Sequence, residues 1–360
     1  MRPRVIHLVD DNKLGGVNLA LKSLCESKLA RDFDFSVLNI NFKFWLPKRF
    51  DADILIIHAA ASWRKLPGFI LLKLCNIGIP IFYQEHHYCE GFMTHESRNH
   101  WRFFLMLKLS YFLMKRVLAV SAAQGRWLLD NELIKVNKLA VLMQARPVDD
   151  LLSLPDKPFA FPLQLGAYGR LHKQKGFDLL MQAMSEIPPD KVELRLAGSG
   201  EMSAGLALMA AGLNNVTLVG EIEDVPLFLS SCDAVVIPSR WEPFGLICQE
   251  SIVAGKVIVT TSVDGLLEQL LALPLERREG EDSSVFFTEQ TKASLVQALE
   301  NMIAKAERKS VKGDGVTSLS GLIYEERAVA AQRWPQLVKA WGNLLTSELE
   351  KEKSANRRFS

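Results

Sequence analysis

The sequence has few cysteines, and their spacing does not suggest a cross-linked framework. Five occur among 360 residues, which is an odd number, and no two of them have a Cys-x-x-Cys spacing. This scarcity argues against a disulfide scaffold and against a cysteine-based structural zinc site, and it favours a reducing compartment. We therefore expect the fold to rest on hydrophobic cores rather than on covalent or metal cross-links.

Long hydrophobic runs are also missing. No stretch of about 18 uncharged apolar residues occurs, and the apolar run at Val5–Val9 is too short for the hydrophobic region of a signal peptide. The composition, 48% hydrophobic and 23% charged, is typical of a globular protein. A length of 360 residues exceeds what one core usually serves. These features predict a cytoplasmic protein with two domains.

The net charge is only +2, but it is unevenly distributed along the chain. Residues 1–160 carry 22 basic and 15 acidic side chains, whereas residues 161–360 carry 21 basic and 26 acidic ones. A basic N-terminal part suggests contact with an anionic partner. No nucleic-acid-binding motif accompanies the charge, so nucleic acid is not predicted. An anionic membrane surface and a phosphorylated acceptor both remain open.

Short β-rich apolar runs alternate with segments of helical period along most of the chain. One series of six runs spans residues 5–143, and a second series of five runs spans residues 163–260. Apolar strands that alternate with helices indicate parallel sheets covered on both faces. Pro155, Pro158 and Pro162 separate the series, and prolines so closely spaced oppose helix and central strand alike. The pattern predicts an α/β protein of two doubly wound domains with a cleft between them.

A pair of glycines follows the first predicted strand. Gly15 and Gly16 lie between Asp10 and the start of a predicted helix. Glycine lets the backbone approach a ligand closely, and the free N–H groups at a helix start attract phosphate. The spacing is not the Gly-x-Gly-x-x-Gly fingerprint, which weakens an interpretation as an NAD site.

Two cations follow the first strand of the second series. Arg170 and Lys175 lie in a loop before a helix that begins near Gly176. Such cations can bind a diphosphate, arginine in a forked manner, and can stabilise the charge that develops on a departing diphosphate. By themselves, these residues are equally consistent with charges on a solvated loop.

A second loop carries Pro-Ser-Arg-Trp-Glu-Pro-Phe-Gly-Leu over residues 238–246. A helix is predicted to start beside Leu246, and the unpaired N–H groups of Gly245 and Leu246 would suit phosphate. Glu250 lies about one and a half turns into that helix and could accept hydrogen bonds from ribose hydroxyls. Glu242 could do the same for sugar hydroxyls, although each acid alone could simply interact with the helix macrodipole.

Together these segments resemble the family-four group of retaining glycosyltransferases, which has the GT-B fold of two Rossmann-like domains. Arg170-Leu-x-x-x-Lys175-Gly176 matches the family's donor-phosphate segment, and Glu242 and Glu250 match its paired glutamates. The resemblance is strongest over about residues 163–270 and is weaker but continuous over residues 1–145.

The resemblance implies a role for each matching residue. Arg170 and Lys175 would bind the donor diphosphate, Glu250 would hold the ribose, and Glu242 would contact the transferred sugar. The remaining donor-binding positions are Gly15, Gly16, Gly198, Ser199, Phe244, Gly245 and Leu246. No cofactor or metal is implied, because the UDP- or GDP-linked donor is a substrate and the two cations would neutralise its diphosphate.

His86 matches the family histidine that faces the reacting carbon. It could hydrogen-bond a donor hydroxyl or help to polarise the acceptor. The adjacent His87 complicates the assignment, and the two could also be a strand-end pair without a ligand. A third well-spaced metal ligand is not evident here, so we predict no metal site.

The proline cluster sets the predicted boundary between the domains, and the resemblance implies what each domain binds. Residues 1–157 would bind the acceptor, and residues 158–327 would bind the nucleotide sugar. Residues 328–350 would form a helix that packs back toward the N-terminal domain, followed by a flexible tail over residues 351–360. Asp264-Gly265 departs from the two glycines usual in the family, and we expect it to add negative charge near the donor sugar.

Aromatic and basic residues alternate over Arg98–Arg116. A second group of the same character comprises Phe42, Phe44, Trp45, Lys48 and Arg49. Together they could contact an anionic membrane weakly, for example at the inner face of the plasma membrane. A buried helix with basic ends accounts for the first segment equally well.

The sequence thus predicts a retaining, metal-independent hexosyltransferase that uses a nucleotide-diphosphate sugar and a glycan or glycolipid acceptor. Its expected setting is the synthesis of cell-surface polysaccharide or lipopolysaccharide. One alternative is a GT-B phosphorylase or a nucleotide-sugar epimerase, which would show phosphate-dependent turnover or donor isomerisation without an acceptor. Another is a non-catalytic nucleotide-sugar-binding subunit, which would bind the donor without transfer or hydrolysis.

Overall fold

The computed structural model describes residues 2–10, 16–43, 48–278, 280, 283–312 and 318–356. The chain divides into two compact units. Residues Met1–Arg146 and Arg333–Ser360 form the first unit, and residues Pro147–Gln332 form the second.

The first unit contains one sheet of six strands. The strands are β1 Arg4–Val9, β2 Asp34–Asn39, β3 Ile54–His58, β4 Ile81–Glu85, β5 Arg116–Ala119 and β6 Leu139–Val141. The helices between them are α1 Gly16–Cys25, α2 Leu66–Cys75, α3 Glu90–Glu96, α4 His100–Phe112 and α5 Ala122–Asp130. The strand order is β2-β1-β3-β4-β5-β6, and every pairing is parallel.

Alternate residues of the central strands serve two different cores. Ile54 and Ile56 pack in a cluster that includes Phe82, whereas Leu55 and Ile57 pack on the opposite face. A strand covered on both faces has no polar side, which is why these runs are continuously apolar. The predicted parallel sheet is confirmed for this unit.

The second unit also contains one sheet of six strands. Its elements in chain order are α6 Asp149–Leu152, β7 Leu163–Tyr168, α7 Phe177–Met184, β8 Val192–Ala197, α8 Ser203–Ala210, β9 Val216–Gly220, α9 Val225–Ser230, β10 Ala234–Ile237, α10 Leu246–Val253, β11 Val257–Thr261, α11 Asp264–Leu270, β12 Val285–Thr288, α12 Lys292–Lys312 and α13 Tyr324–Ala331. The strand order is β12-β11-β10-β7-β8-β9, all parallel, which is the order of a Rossmann sheet. Sequence analysis missed β12, a four-residue edge strand with only two fully buried positions.

The chain passes from the first unit to the second between Arg146 and Pro147, whereas the boundary was expected near residue 157. Helix α6 lies in the second unit because Leu151 is buried in that unit's core. The guanidinium of Arg327 also donates hydrogen bonds to three carbonyl oxygens in this segment, including that of Leu152 at 3.0 Å. The proline cluster that suggested a linker therefore lies within the second unit.

The last helix, α14 Arg333–Asn356, belongs to the first unit. Trp341 is buried among residues of β1, β3 and β4. The helix continues through residues 351–356, where a flexible tail was predicted, and Glu348 and Glu352 form ion pairs with Arg116 and Lys115. These pairs anchor the last turns of the helix to the strand and loop beneath them. No helix in the described residues is long and apolar enough to cross a membrane.

Candidate active site

The strand order of the second sheet reverses between β7 and β10, which lie side by side at its centre. In open parallel sheets, ligands bind at such a reversal, beyond the carboxyl ends of the strands. The loop after β7 spans residues 169–176, and the loop after β10 spans residues 238–245. Arg170 and Lys175 lie in the first loop and Glu242 lies in the second. The topology therefore brings these predicted groups to one edge of one sheet.

Lys175 and Glu242 form an ion pair between the two loops, from Nζ to Oε2. Both side chains are largely shielded, with exposed fractions of 15% and 10%. The Ser239 hydroxyl donates a longer hydrogen bond of 3.4 Å to the same carboxylate oxygen. Because removing one partner would leave a poorly solvated charge, each group holds the other in position. The pair can present an ammonium and a carboxylate side by side to a ligand.

Glu250 lies in the second turn of α10 and is buried. The hydroxyl of Tyr168, the last residue of β7, donates a hydrogen bond of 2.5 Å to Glu250 Oε2. Hydrogen bonds from a hydroxyl to a carboxylate are short and strong. Sequence analysis did not identify Tyr168, because a tyrosine at the end of an apolar strand is equally expected as a core residue. The contact fixes the orientation of Glu250, the side chain predicted to bind the ribose.

Two predicted donor-binding glycines allow loops to approach closely. Gly198 follows β8 with a φ of 134°, and a Cβ atom there would clash with the carbonyl oxygen of Gly169. Gly245 precedes α10 with a φ of 87°, and its Cβ would lie 2.5 Å from Leu266 Cδ2. Positive φ and this crowding both favour glycine. Backbone packing thus accounts for these glycines, and their role in ligand binding stays a prediction.

The other predicted positions of this unit lie on the same sheet edge. Arg170 is exposed, and the Ser199 hydroxyl donates a hydrogen bond to the Glu221 carboxylate. The Phe244 side chain is buried, which leaves its backbone as the group that could contact a ligand. Leu246 begins α10, where the first N–H groups lack intrahelical acceptors.

Asp264, the first residue of α11, supports Glu242. Its Oδ2 accepts a hydrogen bond of 3.0 Å from the Glu242 backbone N–H, and the Gly265 N–H donates to the Glu242 carbonyl at 3.0 Å. Asp264 has a φ of 41°, a left-handed conformation that aspartate tolerates better than most residues do. The carboxylate expected near the donor sugar therefore holds the backbone of Glu242.

Arg240 also joins the second loop to the first turn of α7, through a forked ion pair with Asp178 at distances of 2.8 and 2.7 Å. Arg240 Nη1 donates a further hydrogen bond of 2.7 Å to the Lys173 carbonyl. Burial alone would raise the pKa of Asp178, but the hydrogen bonds and charge of Arg240 outweigh it and lower that pKa. Sequence analysis assigned no role to Arg240, because a lone arginine in a loop carries no positional signal.

His86 directly follows β4 in the first unit and joins two other histidines. Its Nε2 lies 3.0 Å from His58 Nδ1, and His58 Nε2 lies 2.8 Å from His7 Nδ1. Burial lowers the pKa of all three imidazoles, that of His7 to about 3. All three are therefore neutral at neutral pH. Sequence analysis predicted His86 but neither of the others, which lie within apolar strands.

Glu85, the residue before His86, is completely buried. Its carboxylate accepts hydrogen bonds from the backbone N–H groups of His87 at 2.7 Å and Tyr88 at 3.0 Å, and from the Tyr111 hydroxyl at 2.6 Å. Burial raises the pKa of Glu85 to about 7, even though these hydrogen bonds oppose the rise. Glu85 therefore holds the turn that carries His86.

Three other sequence predictions concern the first unit. Gly15 lies outside the described residues, and Gly16 is the first residue of α1. Phe42, predicted to face a membrane, is instead buried edge-on against Phe69 with ring centroids 5.0 Å apart. Phe44 and Trp45 also lie outside the described residues. Among the residues that are described, no group of three or more His, Cys, Asp or Glu side chains is arranged to hold a metal ion.

The second unit contains a segment that is similar to known glycosyltransferases. Residues 162–305 match the family model described as glycosyl transferases group 1. An uncharacterized glycosyltransferase of Methanocaldococcus jannaschii is 39% identical over 106 residues, which cover 28% of this chain and 27% of the relative. An uncharacterized 42.6 kDa protein in the cps region of Klebsiella pneumoniae is 34% identical over 128 residues, 35% of this chain and 31% of the relative. The chain thus spans less than a third of either relative's length.

Solved structures resemble the chain over nearly its whole length. The crystal structure of Anabaena HepE in complex with UDP and glucose covers 96% of this chain and 100% of its own, with a TM-score of 0.69 and 16% identity. Likeness at this identity concerns the fold. Residues 162–305 therefore form a glycosyl transferases group 1 domain, and the chain has the predicted GT-B fold of two Rossmann-like domains.

Proposed function

We propose that this protein is a retaining glycosyltransferase that moves a hexose-type sugar from a nucleotide-diphosphate sugar to a glycan or glycolipid acceptor. The observation that carries the proposal is the meeting of the Lys175–Glu242 pair and Glu250 at the reversal of the second sheet. This edge lies within the segment that matches the group 1 family model. The Tyr168 and Asp264 contacts hold both glutamates before any ligand arrives.

The proposed chemistry breaks the bond between the anomeric carbon and the donor phosphate and forms one to an acceptor hydroxyl oxygen. The acceptor's proton passes to an oxygen of the departing diphosphate, so atoms and charge balance without a metal. Arg170, Lys175 and the N–H groups at Gly245 and Leu246 would stabilise the charge that develops there. Lys175 is already held by Glu242 in the free protein, so little reorganisation is needed.

The proteins that this chain resembles support one class of donor and one setting for the acceptor. Anabaena HepE has been crystallised with UDP and glucose and with UDP-glucose, which supports a UDP-linked donor over a GDP-linked one. The Klebsiella pneumoniae relative lies in a cps region, which supports a role in cell-surface polysaccharide synthesis. On this proposal the donor is a substrate, and the protein needs no cofactor.

A basic, apolar face of the first unit would suit a lipid-linked acceptor at an anionic membrane, including the inner face of the plasma membrane. Phe112 at the end of α4 is 78% exposed, and Lys138 Nζ lies 5.5 Å from its ring centroid. Lys138 Nζ also donates a hydrogen bond of 2.9 Å to the Phe112 carbonyl, and desolvation with the charges of Lys73 and Lys135 lowers the pKa of Lys138. The exposed Leu74 lies on the adjacent helix α2. Exposed apolar groups ringed by lysines favour weak binding to anionic lipid.

The membrane contact can be tested separately from catalysis. We expect the protein to co-sediment with vesicles containing phosphatidylglycerol at moderate salt, and Phe112→Ser with Leu74→Ser to reduce the bound fraction severalfold. Leu208→Ser, at an exposed leucine of α8 in the second unit, is the matched control. Equal binding by all three proteins would count against this face.

The donor site can be tested by thermal shift with UDP, GDP, ADP, CMP and dTDP and their common sugars. A ligand at ~100 times its dissociation constant should stabilise the fold by ~2.7 kcal/mol. We expect one nucleotide to stabilise the wild type and not Arg170→Ala, whereas Arg308→Ala, at an exposed arginine of α12, behaves as wild type. The sugar derivatives of the nucleotide that binds are then incubated with candidate acceptors, and release of free nucleotide without a glycosylated product would contradict transfer.

A further inference from the structure

The three histidines of the first unit form one continuous chain of hydrogen bonds. His7 lies in β1, His58 ends the adjacent strand β3, and His86 follows β4. The two links measure 2.8 and 3.0 Å between ring nitrogens. The two terminal nitrogens, His7 Nε2 and His86 Nδ1, are buried without a hydrogen-bond partner among the described residues.

A neutral imidazole has one N–H donor and one acceptor nitrogen. The two links therefore allow only two proton arrangements for the whole chain. In one, His86 donates to His58 and His58 donates to His7. His7 Nε2 then carries a hydrogen, and His86 Nδ1 carries a lone pair. In the other, His7 donates to His58 and His58 donates to His86, so that His86 Nδ1 carries the hydrogen. The tautomer of His86 is thus coupled to that of His7.

The surroundings of His7 favour the first arrangement. Its ring lies against Phe35 and Trp341, with centroid separations of 5.8 and 6.1 Å, and it meets Trp341 edge-on. An N–H group gains a weak attraction from an aromatic face, whereas a lone pair gains none there. Each arrangement leaves one buried N–H group at an end of the chain, and an N–H group tolerates the lack of a partner less well than an acceptor does, so the end packed against Phe35 and Trp341 suits it better. The donor end of the chain should therefore lie at His7.

We propose that His7 and His58 are positioning residues that keep the Nδ1 of His86 as a hydrogen-bond acceptor for a sugar hydroxyl. An acceptor nitrogen can pair with a hydroxyl, which donates, but not with a phosphate oxygen, which only accepts at neutral pH. His86 Nδ1 therefore suits a ligand that presents a hydroxyl group, such as a sugar, rather than one that presents only phosphate oxygens. This assignment rests on the proposed function for the identity of the ligand, but the proton arrangement itself does not.

The arrangement is read directly from ¹⁵N spectra of protein labelled at its seven histidines, because a protonated ring nitrogen and a lone-pair nitrogen have distinct shifts. The His86 resonances are assigned with His86→Gln. At pH 7 we expect His86 Nδ1 to show the lone-pair signature. A protonated Nδ1 in the wild type would overturn the proposal without any ligand being present.

Substitution of His7 tests the coupling. In His7→Leu, the N–H of His58 Nε2 loses its acceptor, so the remaining pair should reverse and His86 Nδ1 should become protonated. In His7→Asn, the amide oxygen occupies a position like that of the His7 Nδ1 and can accept the hydrogen bond from His58. This variant should therefore preserve the wild-type signature. Val5→Ala lies on the same face of β1 and controls for loss of buried volume. An unchanged His86 in His7→Leu would overturn the coupling, and the wild-type and His7→Asn spectra decide the matter if that variant does not fold.

The ligand part is tested with the nucleotide identified by thermal shift. Adding the nucleotide sugar should move the His86 Nδ1 resonance, and adding the nucleoside diphosphate alone should leave it unchanged. His7→Leu should lower kcat/KM by on the order of tenfold, as for the loss of one hydrogen bond, and His7→Asn should restore most of it. A shift caused by the diphosphate alone, or by neither ligand although both bind, would overturn the selection of the sugar.

Discussion

The Tyr168 hydroxyl donates a hydrogen bond of 2.5 Å to Glu250 Oε2, which ties the end of β7 to the second turn of α10. Both side chains are buried, so neither can exchange this contact freely for water. Glu250, which is predicted to bind the ribose, is therefore held by the last residue of β7, the strand that leads to Arg170. One hydrogen bond thus joins two predicted parts of the donor site.

Tyr168→Phe should weaken nucleotide binding and stability together. The change removes a hydrogen bond to a carboxylate, which is worth about 1.5–3 kcal/mol, and leaves Glu250 less well oriented. We expect a loss of roughly tenfold or more in nucleotide affinity by calorimetry and a lower midpoint in urea. Tyr324→Phe, at an exposed tyrosine of α13, should change neither quantity. Unaltered affinity in Tyr168→Phe would show that Glu250 needs no such support.

The Lys175–Glu242 pair should show strong coupling in a double-mutant cycle. Lys175→Met or Glu242→Gln alone leaves a shielded charge without its partner, at a cost of about 3–5 kcal/mol for a fully buried pair and less here. The double variant should lose less than the sum of the single losses, with a coupling of roughly 0.5–3 kcal/mol measured by urea unfolding.

The exposed pair Lys191–Glu307 provides the matched comparison. Its side chains are 37% and 47% exposed, and its Nζ to Oε1 distance is 2.7 Å. The cycle of Lys191→Met and Glu307→Gln should give little or no coupling, because water and salt screen an exposed ion pair. Additive losses at Lys175 and Glu242 would mean that their contact contributes nothing to stability.

Gly198→Ala should be severely destabilising. The new methyl group would clash with the Gly169 carbonyl at a φ of 134°, so two loops would have to move apart. We expect a loss of about 3 kcal/mol or more in unfolding free energy, together with loss of nucleotide binding. Gly205→Ala in α8 meets no neighbouring atom and should stabilise by about 0.5–1 kcal/mol. If both variants were equally stable, the close approach of the loops would not be real.

Glu85 should make stability depend on pH around neutrality. Its pKa is raised from 4.5 to about 7 on folding, chiefly by burial, so the unfolded chain holds fewer protons than the folded protein between these values. Stability should therefore fall as pH rises from about 4.5 to 7, by on the order of 3 kcal/mol, and then level off.

Glu85→Gln removes the ionisation and keeps a side-chain oxygen for the N–H groups of His87 and Tyr88. Relative to the wild type, this variant should gain stability as pH rises from 5 to 8 in urea titrations. Glu96→Gln, at an exposed position at the end of α3, should follow the wild type at every pH. A constant difference between Glu85→Gln and the wild type would show that Glu85 keeps its ordinary pKa.

The amino-acid sequence was sufficient to predict eleven of the twelve strands that the structure describes. The apolar runs Ile54–His58, Leu163–Tyr168 and Ala234–Ile237, each predicted from the sequence as a strand, have the same bounds as β3, β7 and β10, because such runs indicate local burial. Their parallel arrangement also followed, and with it the placement of the loops after β7 and β10 at one sheet edge. The short edge strand β12 was not predicted, because its apolar run is too short to distinguish from a loop.

Partners that are distant in sequence were decided only by the tertiary structure. Tyr168 finds Glu250, Asp264 finds the backbone of Glu242, and His7 finds His58, because particular strands became neighbours. A buried polar side chain must find a partner, but its local sequence is the same whichever partner it finds. Local periodicity therefore determined the elements of this protein and the sheet edge that carries its predicted chemistry. The order of strands within each sheet determined which buried groups hold those residues in place.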